Sequence, residues 1–390
     1  MKGPKRGGAP ILCLMLAALF ASPTLAASDG APVSLPVEIH MGHVIVEAYV
    51  NDQGPFHFIF DSGALNVLTP DAARRLGLKV SGEVEATGTG GVQAGGMARV
   101  KAVRIGPLTL ANQTFYVLDL PPGTSDDAPV DGLLGWEWLN QYPTRFDYAD
   151  ATLTFFPDGA VSTPSKATPF AISFLGRRPQ IDGKIDGLPG KFTLDTGSAG
   201  SVTLASPFVA SHDLIAKYQA KTQVVSAMGI GGPVYALLAR AEKLELGGVY
   251  VAGPVTFLSK QTNGTSAAKN AAGNIGFGVL HKFTVTFDYP HAQIYLEPNR
   301  LWGEPDLADR SGLRLVRAAD GFKVLFVVEN SPAARAGLKV GDVVLKVDDV
   351  PCASLSAEKL KAMLKGPVGT AIKLRLAGSG SDVTLTLADL

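Results

Sequence analysis

Two short stretches of the chain share an unusual pattern. "FIFDSGA", residues 58–64, and "FTLDTGSA", residues 192–199, each run apolar residues into an aspartate, a small hydroxyl residue and a glycine. A carboxylate at the end of an apolar strand is costly unless it is paired, hydrogen-bonded or neutralised. Two of them, at matching places in a chain that repeats itself, predict that Asp61 and Asp195 meet within hydrogen-bonding reach. Two carboxyls that close do not both ionise easily, so they hold one proton between them. The pair is then an acid beside a base. It can activate a water against a peptide carbonyl and protonate the carbonyl oxygen, without a metal, cofactor or covalent intermediate. Ser62 and Thr196 supply short hydroxyls that can tie each acid loop to the opposite copy. Gly63 and Gly197 let the chain turn tightly, with N–H groups close to the acids.

The elements that must position the acids also come in two copies. Upstream of each acid, a strand-like run reaches a polar turn with a proline (Pro55, Pro189), and a second run follows. Downstream, "LTPDAARRLGL" reads as a short helix with Thr69 as cap, Pro70 at its first position and Gly77 as stop. "LASPFVASHDL" offers Ser206 and Pro207 in the same roles, with a slip in register. Each copy then has a glycine-rich turn, a strand pair, a polar loop, an apolar glycine-bearing segment ("VDGLLGWEWL", "GNIGFGVLHKF") and a closing hairpin-like pair around "FDY". So many ordered correspondences predict two β-rich lobes of one build. The expected units are lobe 1 over 34–158, lobe 2 over 168–299 and a different C-terminal unit over 311–390. Abundant glycine (44) and proline (26) agree with a mostly β, turn-rich fold.

The doubled motif resembles the aspartic peptidases related to retroviral proteases. Their signature is an apolar pair, Asp-Ser/Thr-Gly-Ala/Ser and, later, an apolar-glycine segment that packs under the catalytic loop. Here those pieces are "FIFDSGA" with "GLLG" and "FTLDTGS" with "IGFG", within residues 35 to 298. The resemblance implies an aspartic endopeptidase with Asp61 and Asp195 as catalytic pair, acting on peptides or unfolded proteins in a groove between the lobes. It also implies flexible flaps over that groove. Gly88, Thr89, Gly90 and Gly91 in lobe 1 and Gly229, Ile230, Gly231 and Gly232 in lobe 2 sit where the flaps would be. A flap on both lobes is closer to a fused retroviral-type dimer than to pepsin. The alternative function is a non-catalytic adaptor that keeps the fold and holds peptides without cutting them.

From about Gly312 the pattern changes. "SPAARAGLKVGDVVLKVDDVPC", residues 331–352, resembles a bacterial PDZ domain of the kind attached to exported proteases. Ser331 and Pro332 start a short helix, Gly337 ends it, Gly341-Asp342 turns into the next strand, and a second helix falls near 355–365. PDZ domains add a C-terminal peptide as a strand beside a sheet edge. The loop expected to hold its carboxylate is Gly312, Leu313, Arg314 and Leu315, which departs from the usual Gly-Leu-Gly-Phe form.

Composition excludes several other functions. The chain has 390 residues, with 35 basic and 35 acidic, so it offers no basic excess for nucleic acid. Lys2, Lys5 and Arg6, the apolar "APILCLMLAALF" and the small residues around Ala26 predict a signal peptide over 1–27 and an exported, periplasmic or secreted protein. No later segment is long and apolar enough to span a bilayer. Cys13 leaves with the leader, so Cys352 has no disulfide partner within the chain and reads as a small packed residue. Neither acid motif forms a Gly-x-Ser-x-Gly elbow, and the chain has no His-Glu-x-x-His run, dinucleotide fingerprint or phosphate loop. His40 and His43 read as surface strand histidines, and Trp136 and Trp138 alternate like packed strand residues. No metal or cofactor is expected.

Overall fold

A computed structural model of the chain describes residues 30–124, 126–163, 167–378 and 382–390. The expected leader over 1–27 lies outside these residues. The fold is mostly β. A six-stranded antiparallel sheet joins the two lobes, in the order Val33–Pro36, Thr152–Phe155, Thr144–Asp147, Phe283–Asp288, Gln293–Pro298 and Phe170–Ala171. Its centre is the pairing of Thr144–Asp147 with Phe283–Asp288, which are the two "FDY" segments. The lobes therefore meet through backbone hydrogen bonds. They also share one core, in which Phe146 touches Phe60 and Phe287 at ring separations of 5.6 and 5.5 Å.

Each lobe wraps its own sheet around an acid loop. In lobe 1 the strand Gln53–Phe60 runs parallel to Gly132–Leu134, and in lobe 2 Leu188–Leu194 runs parallel to Gly273–Ile275. The strands ending at Phe60 and Leu194 are buried on both faces over their last three residues, so each reads as a continuous apolar run. The helix Pro70–Arg75 has the expected cap, Thr69 Oγ1 accepting from the Ala72 N–H at 3.1 Å. Its counterpart Ser206–Ser211 differs from expectation. Ala205 is the cap, and the Ser206 hydroxyl instead donates to the Gln261 carbonyl at 2.6 Å. Trp136 and Trp138 also depart from their expected strand. They lie on the short helix Trp136–Leu139, with Trp138 wholly buried and Trp136 packed against Phe174 and Tyr289.

The third unit has its own core. Its sheet begins at the edge strand Leu313–Ala318 and passes through Gly321–Val327, Val343–Val347, Ala371–Leu376 and Asp382–Thr386. The helix Pro332–Arg335 is capped by Ser331, the helix Ala357–Leu364 by Ser356. Gly337 and Gly341 take the positive φ their turns require. Cys352 is buried in this core, and burial pushes its thiol up to about 11, as suits a packed rather than a reactive residue.

This unit is fastened to lobe 1. Asp126 Oδ2 accepts the Arg317 N–H at 2.9 Å, Asp127 accepts from the Arg317 guanidinium and the Ala357 N–H, and Met41 packs against the third core. His40 is buried here with a ring nitrogen 2.6 Å from the Asp126 carbonyl, and His43 is half-buried. His40 is therefore not a surface histidine, and His43 lines the cleft rather than the outer surface. Among the described residues no helix is long and apolar enough to cross a membrane.

Candidate active site

The strand ends deliver Asp61 and Asp195 to the same place. The Asp61 N–H donates to Leu134 O at 2.7 Å and the Asp195 N–H to Ile275 O at 2.9 Å, so each acid loop rests on the "GLLG" or "NIGFG" segment of its own lobe. Gly135 and Gly276 make that contact possible. A Cβ at Gly135 would lie 2.3 Å from the Asp61 carbonyl oxygen, and one at Gly276 would lie 2.5 Å from that of Ser198. The two carboxyls come together in a cleft of about 970 Å³ between the lobes, where a Cβ at Gly63 would lie 3.1 Å from Asp195 Oδ1 and 3.3 Å from Asp61 Oδ1.

Four hydrogen bonds cross between the acid loops. Ser62 Oγ accepts the Thr196 N–H at 3.0 Å and donates to Leu194 O at 2.9 Å; Thr196 Oγ1 accepts the Ser62 N–H at 2.9 Å and donates to Phe60 O at 2.7 Å. Both side chains are buried, so no water competes for these bonds. Each glycine N–H donates to its own aspartate, Gly63 to Asp61 Oδ1 at 2.7 Å and Gly197 to Asp195 Oδ1 at 3.0 Å. A side chain at Gly197 has no room, since its Cβ would sit 2.2 Å from Asp61 Oδ2.

The two acids are not equivalent. Burial, and after it the charge of Asp195, hold Asp61 well above the usual carboxylate range. Burial raises Asp195 too, but the Asn274 amide donates to Asp195 Oδ2 at 3.0 Å and stabilises its charged form, as does the nearby Arg178 charge. The asymmetry favours the shared proton on Asp61. Asn274 was missed by sequence reading. It stands on the strand Gly273–Ile275 where lobe 1 has Leu133, so the signal lay in a polar residue breaking the repeat. Tyr289 of the second "FDY" was missed as well. Its hydroxyl donates to the Ser62 carbonyl at 2.9 Å and braces the first acid loop. The hydroxyl of Tyr148, from the first "FDY", is buried without a partner among the described residues.

The two glycine-rich turns are hairpin tips, as expected. One joins Ser81–Thr87 to Val92–Ile105 and the other joins Gln223–Gly229 to Gly232–Arg240. They touch each other. The Gly90 N–H donates to Ile230 O at 3.2 Å, and a Cβ at Gly90 would lie 2.1 Å from the Gly232 carbonyl oxygen. Thr89 lies against Gly229, Gly88 O accepts from the Thr265 N–H, and Gly231 packs on Gly91. Ile230 reaches across to the apolar cluster of Ile45, Ile59, Val67, Leu118 and Leu133 in lobe 1. The tips thus close over a cleft with an apolar lobe 1 wall.

The loop expected to hold a terminal carboxylate is built differently. Asp309 Oδ1 accepts the N–H groups of Ser311 and Gly312 at 3.0 and 2.7 Å, and Ser311 Oγ accepts that of Leu313 at 3.0 Å. Leu313 and Leu315 pack on the third core. Of the four residues, Gly312, Leu313 and Arg314 border the cleft, and Leu315 does not. Among the described residues no group of three or more His, Cys, Asp or Glu could hold a metal ion.

A mostly β chain of two duplicated lobes, with paired Asp-Ser/Thr-Gly loops and a third α+β unit, defines a class, and the comparisons with known proteins agree. Residues 46–138 and 181–275 both match the aspartyl protease family model, and residues 323–378 match that of a PDZ domain. The chain carries two aspartyl-protease repeats followed by a PDZ domain. It is 34% identical over 82 residues to syntenin-1 of Homo sapiens and to syntenin-1 of Mus musculus, which is 21% of this chain and 28% and 27% of theirs. The chain thus spans little more than a quarter of the length of these curated relatives. The crystal structure of the aspartic proteinase from Irpex lacteus aligns with 71% of this chain and 100% of its own at 13% identity and a TM-score of 0.47.

Proposed function

We propose that the protein is an aspartic endopeptidase in which Asp195 is the general base and Asp61 the general acid. The observation that carries this reading is the meeting of two half-buried carboxyls, of which Asp195 alone accepts a side-chain amide, that of Asn274. Asp195 takes a proton from a water, whose oxygen attacks the scissile carbonyl carbon while Asp61 protonates the carbonyl oxygen. The tetrahedral diol then collapses. Asp195 gives its proton to the amide nitrogen, the C–N bond breaks, and a diol hydroxyl returns a proton to Asp61. The Ser62–Thr196 bonds keep the acids in register, and the paired hairpins serve as flaps that open for an extended peptide and close over it. The apolar lobe 1 wall supports apolar side chains in the substrate.

The test is cleavage of an unstructured protein, blocked by a pepstatin-type inhibitor. A protein that binds such a chain in the cleft without cutting it is an adaptor instead. The reaction needs one proton on the pair, so activity falls as pH drops through the apparent pKa of Asp195 and as it rises through that of Asp61. Both are raised, so the window lies above that of ordinary carboxylates. Asn274→Leu, which copies lobe 1, removes a bond that lowers the Asp195 pKa. It should move the acid limb of the kcat/KM profile up by about 1 pH unit and leave a narrower bell; an unmoved acid limb would clear Asn274 of the role. The leader-like residues 1–27 support action in an exported compartment, the periplasm or outside the cell.

A further inference from the structure

We propose that the two sides of the cleft read different side chains of one peptide: the lobe 1 side takes an apolar side chain, and the lobe 2 side takes a neutral, hydrogen-bonding one, glutamine or asparagine, with Ser201 and Thr203 as the specificity-determining residues. The cutting rests on the endopeptidase reading above; the polar pocket does not.

The duplication lets the two sides be compared position by position, because equivalent strands pair in equivalent registers. In lobe 1, Ile59 pairs with Leu133, and Leu133 with Val67. The same two pairings in lobe 2 join Thr193 to Asn274, and Asn274 to Thr203. Three apolar residues thus have three polar counterparts. Two further positions change in the same direction. Ile45, the partner of Ile59, corresponds to Gln180, the partner of Thr193. Leu118 follows the partner of Leu68, and Ser259 follows the partner of Leu204.

The change is confined to one face of the strands. Successive strand residues point to opposite faces. The immediate neighbours, Phe60, Leu68 and Leu134 in lobe 1 and Leu194, Leu204 and Ile275 in lobe 2, all stay apolar in the shared core. On the other face, Ile59, Val67 and Leu133 border the cleft from lobe 1, while Thr203 and Asn274 border it from lobe 2. Leu65, two residues before Val67, and Ser201, two before Thr203, extend the same contrast along the cleft.

Polar groups placed where the twin lobe is apolar cost stability unless something bonds them. Among the described residues Ser201 Oγ is buried without a partner, and no hydrogen bond holds the Thr203 hydroxyl. Asn274 gives its Nδ2 to Asp195 and keeps a carbonyl oxygen to spare. The occupant follows from this set. The flap strands of lobe 2 add Val224, Val234 and Leu238 to the same side, so a side chain lying here needs a hydrocarbon stem and a polar head. Two hydroxyls that donate or accept, beside an amide oxygen that accepts, match the carbonyl and NH₂ of a side-chain amide. A carboxylate head is disfavoured, because Asp195 stands next to Asn274. A site built to bond a polar head rejects an analogue without one, since its own groups are then left unpaired.

The experiment digests a proteome-derived peptide library with the full chain and reads the cut sites by mass spectrometry. It then measures kcat/KM for matched peptides with leucine on one flank of the cut and glutamine, leucine, lysine or glutamate on the other. Glutamine should be cut at least about tenfold better than the other three. The double variant Ser201→Ala, Thr203→Val removes both hydroxyls at nearly unchanged shape. It should cut the leucine peptide at least as well as the wild type does and prefer it to glutamine, a reversal that loss of structure would not produce. Cut sites that are apolar on both flanks, a preference for lysine or glutamate, or a glutamine preference that survives the double variant would overturn the polar pocket and leave the endopeptidase standing. If no peptide is cut, the endopeptidase reading fails, and fluorescence anisotropy of the same labelled peptides on the wild type decides the pocket. Tighter binding of the glutamine peptide, lost in the double variant, would then uphold it, and equal binding of glutamine and leucine would overturn it.

Discussion

Asp195→Asn should lower kcat on a peptide substrate by about 10²–10⁴-fold, the range that general acid–base catalysis contributes. Asparagine keeps the size of the side chain, and its one carbonyl oxygen can still accept from the Gly197 N–H, but its amide nitrogen can neither accept from the Asn274 amide nor take a proton from water. KM should change little, because the cleft walls and flaps are untouched. The variant must also be shown to be folded, and here the electrostatics help. Both acids have folded-state pKa values above the usual carboxylate range. The stability contributed by such groups is present at low pH and is lost as pH rises through their folded pKa values. Replacing one acid by a neutral amide relieves that loss. The melting temperature of Asp195→Asn should therefore equal that of the wild type at low pH and exceed it at pH 8. A collapse of activity with unchanged or higher stability separates a catalytic role from a structural one. Full retention of activity would exclude Asp195 as the base.

Thr196→Val should have a large structural effect at the site. Valine matches the shape of threonine but removes the oxygen that accepts from the Ser62 N–H and donates to Phe60 O. Both backbone groups are then left without a partner where Thr196 and Ser62 are buried. At about 1–3 kcal/mol for each unsatisfied group, the loss is about 2–6 kcal/mol. For lobes of this size it corresponds to a fall in melting temperature of roughly 5–15 °C. Because these bonds also align the two acids, kcat should fall on the order of 10²-fold through misplacement alone. Thr196→Ser, which keeps the oxygen, should restore most of both quantities. If valine is as stable and active as threonine, the cross-lobe bonds do not hold the site.

The duplication was legible because each part of it leaves a local mark. The apolar runs ending at Phe60 and Leu194, the glycines that admit a neighbouring backbone, and the capped helix after Thr69 are local physical requirements. The features missed depend on contacts between distant parts of the chain. Trp136 and Trp138 fit one helical turn as well as a strand, since four residues cannot separate the two periods. Ser206 had a cap's position in sequence, but the Gln261 carbonyl draws its hydroxyl away. His40 is buried against the Asp126 carbonyl from a distant loop, which no reading of its own neighbourhood shows. Asp309 lies three residues before Gly312 in a stretch that reads as a plain connection, yet it determines which donors of the PDZ loop remain free. Asn274 is the most consequential of these, because it makes the two acids unequal where the repeat suggested a near-symmetric pair.

The most direct measurement is the titration of the two carboxyls themselves. In protein labelled with carbon-13 at the aspartate carboxyl, the Asp61 and Asp195 signals are assigned from the Asp61→Asn and Asp195→Asn variants and followed with pH. We expect Asp61 to stay protonated well above the usual carboxylate range, Asp195 to lose its proton at lower pH, and each to shift when the other is replaced. Two independent titrations in the ordinary carboxylate range, each indifferent to the other's replacement, would contradict a dyad that shares one proton.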